Sequence, residues 1–261
     1  MKANAVREVT GPSKLWWGLG GVFVATVAGW WVGYHAPVWM VPDPTPPEAL
    51  RRGQAVVLLH GLGRTRASMA LLGRRFYDEG YDVFFFGYNP RAETLEAVSL
   101  RLREYIDAQV DTPTYHLIGH SLGNIIIRNG FRWPDMPGLR RVVMIAPPNG
   151  PAELAGVLRD WSVYRYWTGD SGQKLADEAF YKTLPVPTAE FGVIAGDAGP
   201  RVAFDEPNDG VVRLNNTRLE GMADWVAVPR THTFIMMAPE TFEYCHRFLQ
   251  TGSFLSESAG S

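Results

Sequence analysis

A single cysteine, Cys245, stands in a chain of 261 residues, which excludes a disulfide framework and any zinc site built on thiolates. Its place in the helix-patterned stretch 240–250 suits a small buried hydrophobe better than a reactive thiol. Neither sign of charge is in surplus, since 25 Lys+Arg face 27 Asp+Glu for a formal net charge of −2. The clustered positive face that nucleic acid requires is missing, so nucleic acid is not an expected partner. No internal repeat is visible, and low complexity is confined to a proline-rich stretch near the N-terminus and a Ser/Gly-rich tail.

Charge is also absent locally. Residues 15–42 contain no Asp, Glu, Lys or Arg, and 15–33 alone can cross a hydrocarbon core of roughly 30 Å at about 1.5 Å per residue. Trp16 and Trp17 at one end, with Trp30, Trp31 and Tyr34 at the other, fall where interfacial aromatic belts belong. The expected organisation is a cytoplasmic N-terminus (1–14), a transmembrane anchor (15–40) and a stiff linker (41–53) containing Pro42, Pro44, Pro46 and Pro47. A cleaved signal peptide is the competing reading, but the apolar stretch exceeds the usual 7–15 residues and lacks a clear small-x-small site. Lys2, Arg7 and Lys14 precede the segment, which orients the bulk of the chain outside the cytoplasm, on the periplasmic face of the inner membrane if the source is bacterial. Gly21, Ala25, Gly29 and Gly33 recur every four residues, a stripe that permits close helix–helix contact and hence a homodimer.

Beyond the linker, 46% hydrophobic content suffices for one sizeable core. Residues 55–59 form a short apolar run, as a fully buried parallel strand would, and 83–86, 115–118 and 142–146 repeat that character. Helical spacing fills the gaps at 67–79, 95–106 and 122–130. Such alternation predicts an α/β fold, a mostly parallel sheet flanked by helices. The regular alternation lapses over 147–187, where the aromatics Trp161, Tyr164, Tyr166, Trp167, Phe180 and Tyr181 cluster. These residues are expected to form a helical cap over the site, with ordinary helix packing against the sheet as the competing reading, since periodicity does not separate the two. Strand character returns at 191–195 and 225–228, a last helix covers 240–249, and 251–261 reads as a flexible tail.

The chemistry centres on Gly119-His120-Ser121-Leu122-Gly123, set between an apolar strand and a helical run. A G-x-S-x-G at a strand-to-helix turn strains the serine backbone and lifts its hydroxyl clear of the sheet. A serine hydroxyl needs a base within hydrogen-bond reach, itself held by a carboxylate. Of six histidines, His35 lies in the anchor, His60, His116 and His120 precede Ser121, and His246 falls on a helix. His232, on a loop between the strand at 225–228 and the last helix, is left as the base. For the acid, the loop after the strand at 191–195 offers Asp197, Asp205 and Asp209. The sequence Asn208-Asp209-Gly210 favours Asp209, because the glycine allows a tight approach. Two donors for a tetrahedral oxyanion would be the backbone N–H of Leu122 and that of Leu62 in His60-Gly61-Leu62-Gly63.

Together His60-Gly61-Leu62-Gly63-Arg64, Gly87-Tyr88-Asn89-Pro90-Arg91, Gly119 to Asn124, Ala146-Pro147-Pro148-Asn149, Asn208-Asp209-Gly210-Val211 and the His232 loop resemble the α/β-hydrolase superfamily, within it the bacterial lipase and esterase branch related to triacylglycerol lipases. The resemblance covers about residues 54–250. It implies Ser121, Asp209 and His232 as a catalytic triad, Leu62 and Leu122 as oxyanion residues, and cleavage of carboxyl esters of lipidic or acyl-chain character with no cofactor. Two departures from the larger members stand out. The opening antiparallel strands are missing, and there is no calcium-ligand cluster, so no metal is carried over. Acyl transfer, thioester or amide cleavage on the same triad, and a non-catalytic membrane-tethered binding module, are the rival readings.

Overall fold

The computed structural model describes residues 45–90, 92–133, 135–150, 162–200 and 204–255. Six strands, β1 (Gln54–Leu59), β2 (Asp82–Phe86), β3 (Thr114–His120), β4 (Leu139–Ile145), β5 (Glu190–Gly196) and β6 (Asp224–Val228), form one sheet in the order β2-β1-β3-β4-β5-β6. Every neighbouring pair is parallel. Parallel strands need crossovers, and these are supplied by α1 (Ala70–Asp78), α2 (Leu95–Gln109), α3 (Leu122–Gly130), α4 (Ser162–Lys174) and α5 (Glu178–Thr183), with α6 (Pro239–Thr251) closing the chain.

The continuous apolar runs are explained by burial on both faces. In β1, Ala55, Val57 and Leu59 point into one core with Leu95, Val98 and Leu102 of α2 and Ile125 and Ile126 of α3. Val56 and Leu58 point into the other, with Leu72 and Phe76 of α1 and Cys245 and Phe248 of α6. Alternate side chains of one strand thus serve opposite layers, which a polar residue on either face would break. Most strands run one or two residues past the apolar runs that mark them in sequence, whereas β4 starts three residues before its run at 142–146 and ends one residue short of it. Polar residues such as Thr114, Glu190 and Asp224 still join the hydrogen-bonded ladder at the sheet margins.

The expected segment ends differ from the observed ones in two places. Pro46 is buried, residues 48–50 form a 3-10 turn, and Arg51 grips the fully buried Asp82 carboxylate (3.1 and 2.5 Å). The last residues of the linker are therefore docked on the domain rather than free. At the other end, Gly252 stops α6 in a left-handed turn (φ 84°), and Phe254 is fully buried, stacked on Phe248 at 4.8 Å. The tail begins packed because one aromatic side chain there has a core to enter.

The anchor expected at 15–40 lies outside the described residues, and among the described residues no helix is long and apolar enough to cross a membrane. Of the segment 147–187, residues 151–161 also lie outside them. Helix α4 is interrupted at Gly169 (φ 58°, ψ −150°). Beyond the break, Leu175, Phe180, Tyr181 and Leu184 join the core shared with α2 and α3. Arg128 of α3, buried, donates to the carbonyls of Pro185 (2.9 Å) and Leu184 (3.1 Å), so residues 175–184 are flanking-layer structure rather than the expected cap.

From β1 the chain passes to β2 on one side and then crosses to β3 on the other. Ligands of open α/β sheets bind at the carboxyl ends of strands where the order reverses in this way. Ser121 follows β3 there, and Leu62 follows β1.

Candidate active site

Ser121 occupies φ 52°, ψ −118° between β3 and α3, a left-handed conformation that costs a side-chain-bearing residue on the order of 1–3 kcal/mol and persists only if its surroundings enforce it. Here the Ile145 carbonyl accepts both the Ser121 N–H (3.0 Å) and the Asn124 side-chain amide (3.0 Å). The flanking glycines are required by close approach. A Cβ at Gly119 would lie 2.4 Å from Asn124 Oδ1, and one at Gly123 2.8 Å from the Leu59 carbonyl. The second contact presses the start of α3 against the end of β1, where Leu62 follows.

The base and acid arrive on loops beyond β6 and β5. His232 Nε2 lies 2.9 Å from Ser121 Oγ, and His232 Nδ1 lies 2.7 Å from Asp209 Oδ2. A carboxylate only accepts, so Nδ1 carries the proton and Nε2 offers its lone pair to the serine hydroxyl. The other oxygen, Asp209 Oδ1, accepts the N–H groups of Val211 (2.9 Å) and Val212 (2.7 Å). The buried Asn208 shapes this turn, its Oδ1 accepting Gly210 N–H at 2.7 Å. The His232 backbone N–H donates in turn to the Asp209 carbonyl at 2.8 Å, so base and acid are joined through main chain as well as side chain.

The residues expected from sequence fall as follows. Ser121, His232 and Asp209 come together and are nearly enclosed, at 9%, 8% and 1% exposure. Asp197 and Asp205, the alternative acids, are exposed and make no described hydrogen bond to His232. The N–H groups of Leu62 and Leu122 donate to no acceptor among the described residues. Leu122 opens α3, whose first N–H groups converge beside Ser121. No cluster of three or more His, Cys, Asp or Glu able to hold a metal ion occurs among the described residues.

Several supporting residues escaped the sequence reading. Tyr88 stacks on His60 (4.1 Å, 6° between planes), and its hydroxyl donates to the His60 carbonyl. Arg64 donates to the Thr233 carbonyl at 2.8 Å, tying the turn after β1 to the His232 loop, and burial lowers its pKa to about 10. His120 Nε2 lies 3.0 Å from the His232 carbonyl. All of these lie inside or beside the motifs, but none could be assigned a partner without the fold.

Three histidines are held neutral by burial. Desolvation lowers His60 to about 4 and His116 to about 3, and pushes His120 far below the usual histidine range. In the unfolded chain each titrates near 6.5. Between the folded and unfolded values the unfolded state binds protons that the native state refuses, so stability present above pH 6.5 is lost as pH falls toward 4. The melting temperature should therefore drop by at least about 5 °C between pH 7.5 and 5, above the range where carboxylates protonate. A flat profile by circular dichroism over that interval would contradict the neutral burial of these rings.

A family model described as alpha/beta hydrolase family matches residues 56–253. No curated protein sequence matches the chain. Among solved structures, the mature form of the Bacillus licheniformis lipase BlEst2 is similar, with a TM-score of 0.58 and 18% identity over 80% of this chain and 94% of that one. The metagenomic carboxyl esterase MGS0156 gives a TM-score of 0.57 and 15% identity over 73% and 67% of the two chains. Phospholipase PlaB from Legionella pneumophila gives 0.53 and 15% over 63% and 45%. At these identities the likeness is one of fold.

Proposed function

The chain belongs to the alpha/beta hydrolase family, and from that premise we propose that it is a serine hydrolase cleaving carboxyl esters, with Ser121, His232 and Asp209 as its triad. The observation that carries the reading is the continuous relay from Asp209 through His232 to Ser121, at 2.7 and 2.9 Å, delivered to a serine on a strained turn. A binding module without turnover has no need to hold a serine in that conformation against a base.

The chemistry follows from the geometry. His232 Nε2 takes the Ser121 proton as Oγ attacks the ester carbonyl, and the resulting oxyanion meets the N–H groups of Leu62 and Leu122. Collapse of the tetrahedral intermediate expels the alcohol, which receives the proton from His232. Water, activated by the same imidazole, then releases the acid from the acyl-enzyme. Asp209 holds the imidazole in its working tautomer and stabilises the cation that forms twice per turnover.

An acyl chain is the proposed specificity element. Phe234, two residues past the base, is 57% exposed, and Leu62 lies half-buried on the turn after β1, which Arg64 joins to Thr233 beside Phe234. The names lipase and carboxyl esterase among the similar folds agree with this class, as does the charge-free N-terminal segment, which we propose tethers the domain to a membrane with the site outside the cytoplasm. The small-residue stripe of that segment would then offer a face for homodimerisation.

Saturating labelling by a fluorophosphonate, followed by hydrolysis of p-nitrophenyl esters from acetyl to octanoyl, tests the proposal. Each buried methylene contributes about 0.8 kcal/mol, so even partial burial of the chain should raise kcat/KM at least about tenfold across the series. A rate that does not rise with chain length defeats the acyl preference but leaves the triad standing. Product analysis in labelled water with a competing alcohol decides between hydrolysis and transfer.

A further inference from the structure

His120 precedes the nucleophile in sequence and is 1% exposed, out of reach of any substrate. Its ring nevertheless reaches both the His232 loop and the turn after β1. Nε2 lies 3.0 Å from the His232 carbonyl, and because a carbonyl only accepts, the proton sits on Nε2 and the ring donates. The two imidazoles lie 4.9 Å apart, centre to centre, at 48°. On the opposite side the ring lies against the turn after β1, so closely that a Cβ at Gly61 would fall 2.8 Å from His120 Nδ1 and 3.1 Å from Ser121 Cβ.

We infer that His120 is a positioning residue that sets the distance between Ser121 and His232 by holding the backbone carbonyl of the base. The inference rests on the triad reading above. The base loop has few such restraints: the His232 N–H goes to the Asp209 carbonyl, the His232 carbonyl receives His120, and the Thr233 carbonyl receives Arg64. Of these only His120 belongs to the same strand end as the nucleophile, so it is the one that ties the main chain of the base to the strand bearing Ser121. Its Nδ1 has no hydrogen-bond partner in the described structure. Leaving a buried acceptor unpaired has a cost, and the arrangement accepts it to place the Nε2 donor. Burial, with His232, Arg64 and His60 close by, disfavours a charge on His120. The pull on the His232 carbonyl is therefore a neutral hydrogen bond, undisturbed by charging of His120 over the working range of an esterase.

Two variants separate positioning from packing. His120→Leu removes the donor at similar volume, and His120→Gln restores an N–H near the position of Nε2. With active sites titrated to completion by fluorophosphonate, His120→Leu should lower kcat about 30-fold, since a displacement of order 1 Å costs up to about 100-fold. KM should stay within about twofold, and His120→Gln should recover kcat to within about threefold of wild type at an unchanged melting temperature. The inference is overturned if His120→Leu keeps its kcat per titrated site, or if His120→Gln is as impaired as His120→Leu. Failure of the wild-type protein to label or turn over would instead overturn the triad reading itself.

Discussion

Ser121→Ala should abolish fluorophosphonate labelling and lower kcat on p-nitrophenyl esters by about 10⁶-fold, leaving only what oxyanion donors and substrate binding supply. The loss would be chemical, because the hydroxyl's described partner is His232 Nε2 and alanine bears the same backbone strain as serine. Ser121→Gly sharpens the distinction. Glycine adopts φ 52° without penalty, so this variant should be equally inactive yet melt higher than wild type, by an amount matching about 1 kcal/mol of relieved strain. Retained labelling in Ser121→Ala would remove Ser121 from the mechanism. A melting temperature lowered in Ser121→Gly would mean that the strained turn is not under tension.

The two variants also mark which parts of the site sequence could supply. The G-x-S-x-G elbow is legible because its requirements are local: a strand, a turn too tight for a Cβ at Gly119 or Gly123, and a helix. The sheet is legible for a similar reason, since a strand buried on both faces reads as a near-continuous apolar run, as 55–59 does. Polar strand ends such as Glu190 and Asp224 are not, because their place in the ladder is fixed by a neighbour rather than by their own character. Phe254 illustrates the same limit. Nothing nearby in sequence announces that Phe248 and Tyr244 wait for its ring, so its Ser/Gly-rich surroundings read as tail. His120 is set aside as a base because it precedes Ser121 in the chain, and its bond spans 112 positions. The cap expected over 147–187 has packed helices as its rival, because aromatic spacing is the same whether a helix covers a site or fills a flank. Residues 175–184 took the second course, against α2 and α3.

The glycine after Asp209 favours it in sequence over Asp197 and Asp205, and this choice carries the second large effect. Asp209→Asn should lower kcat/KM at neutral pH by about 10⁴-fold, and the local hydrogen bonds make the outcome directional. Oδ1 of Asp209 accepts two backbone N–H groups, from Val211 and Val212, so an asparagine must place its carbonyl oxygen there. Its amide nitrogen is then forced toward His232 Nδ1, where it donates. The imidazole answers by moving its proton to Nε2, which can no longer accept from Ser121. The triad would look intact and be mute, with labelling slowed in parallel with hydrolysis. Asp197→Asn and Asp205→Asn, at exposed positions, should stay within about twofold of wild type. If either of these collapses while Asp209→Asn stays within about tenfold, the orienting carboxylate lies elsewhere. The two amide bonds to Asp209 would then serve only to shape the turn.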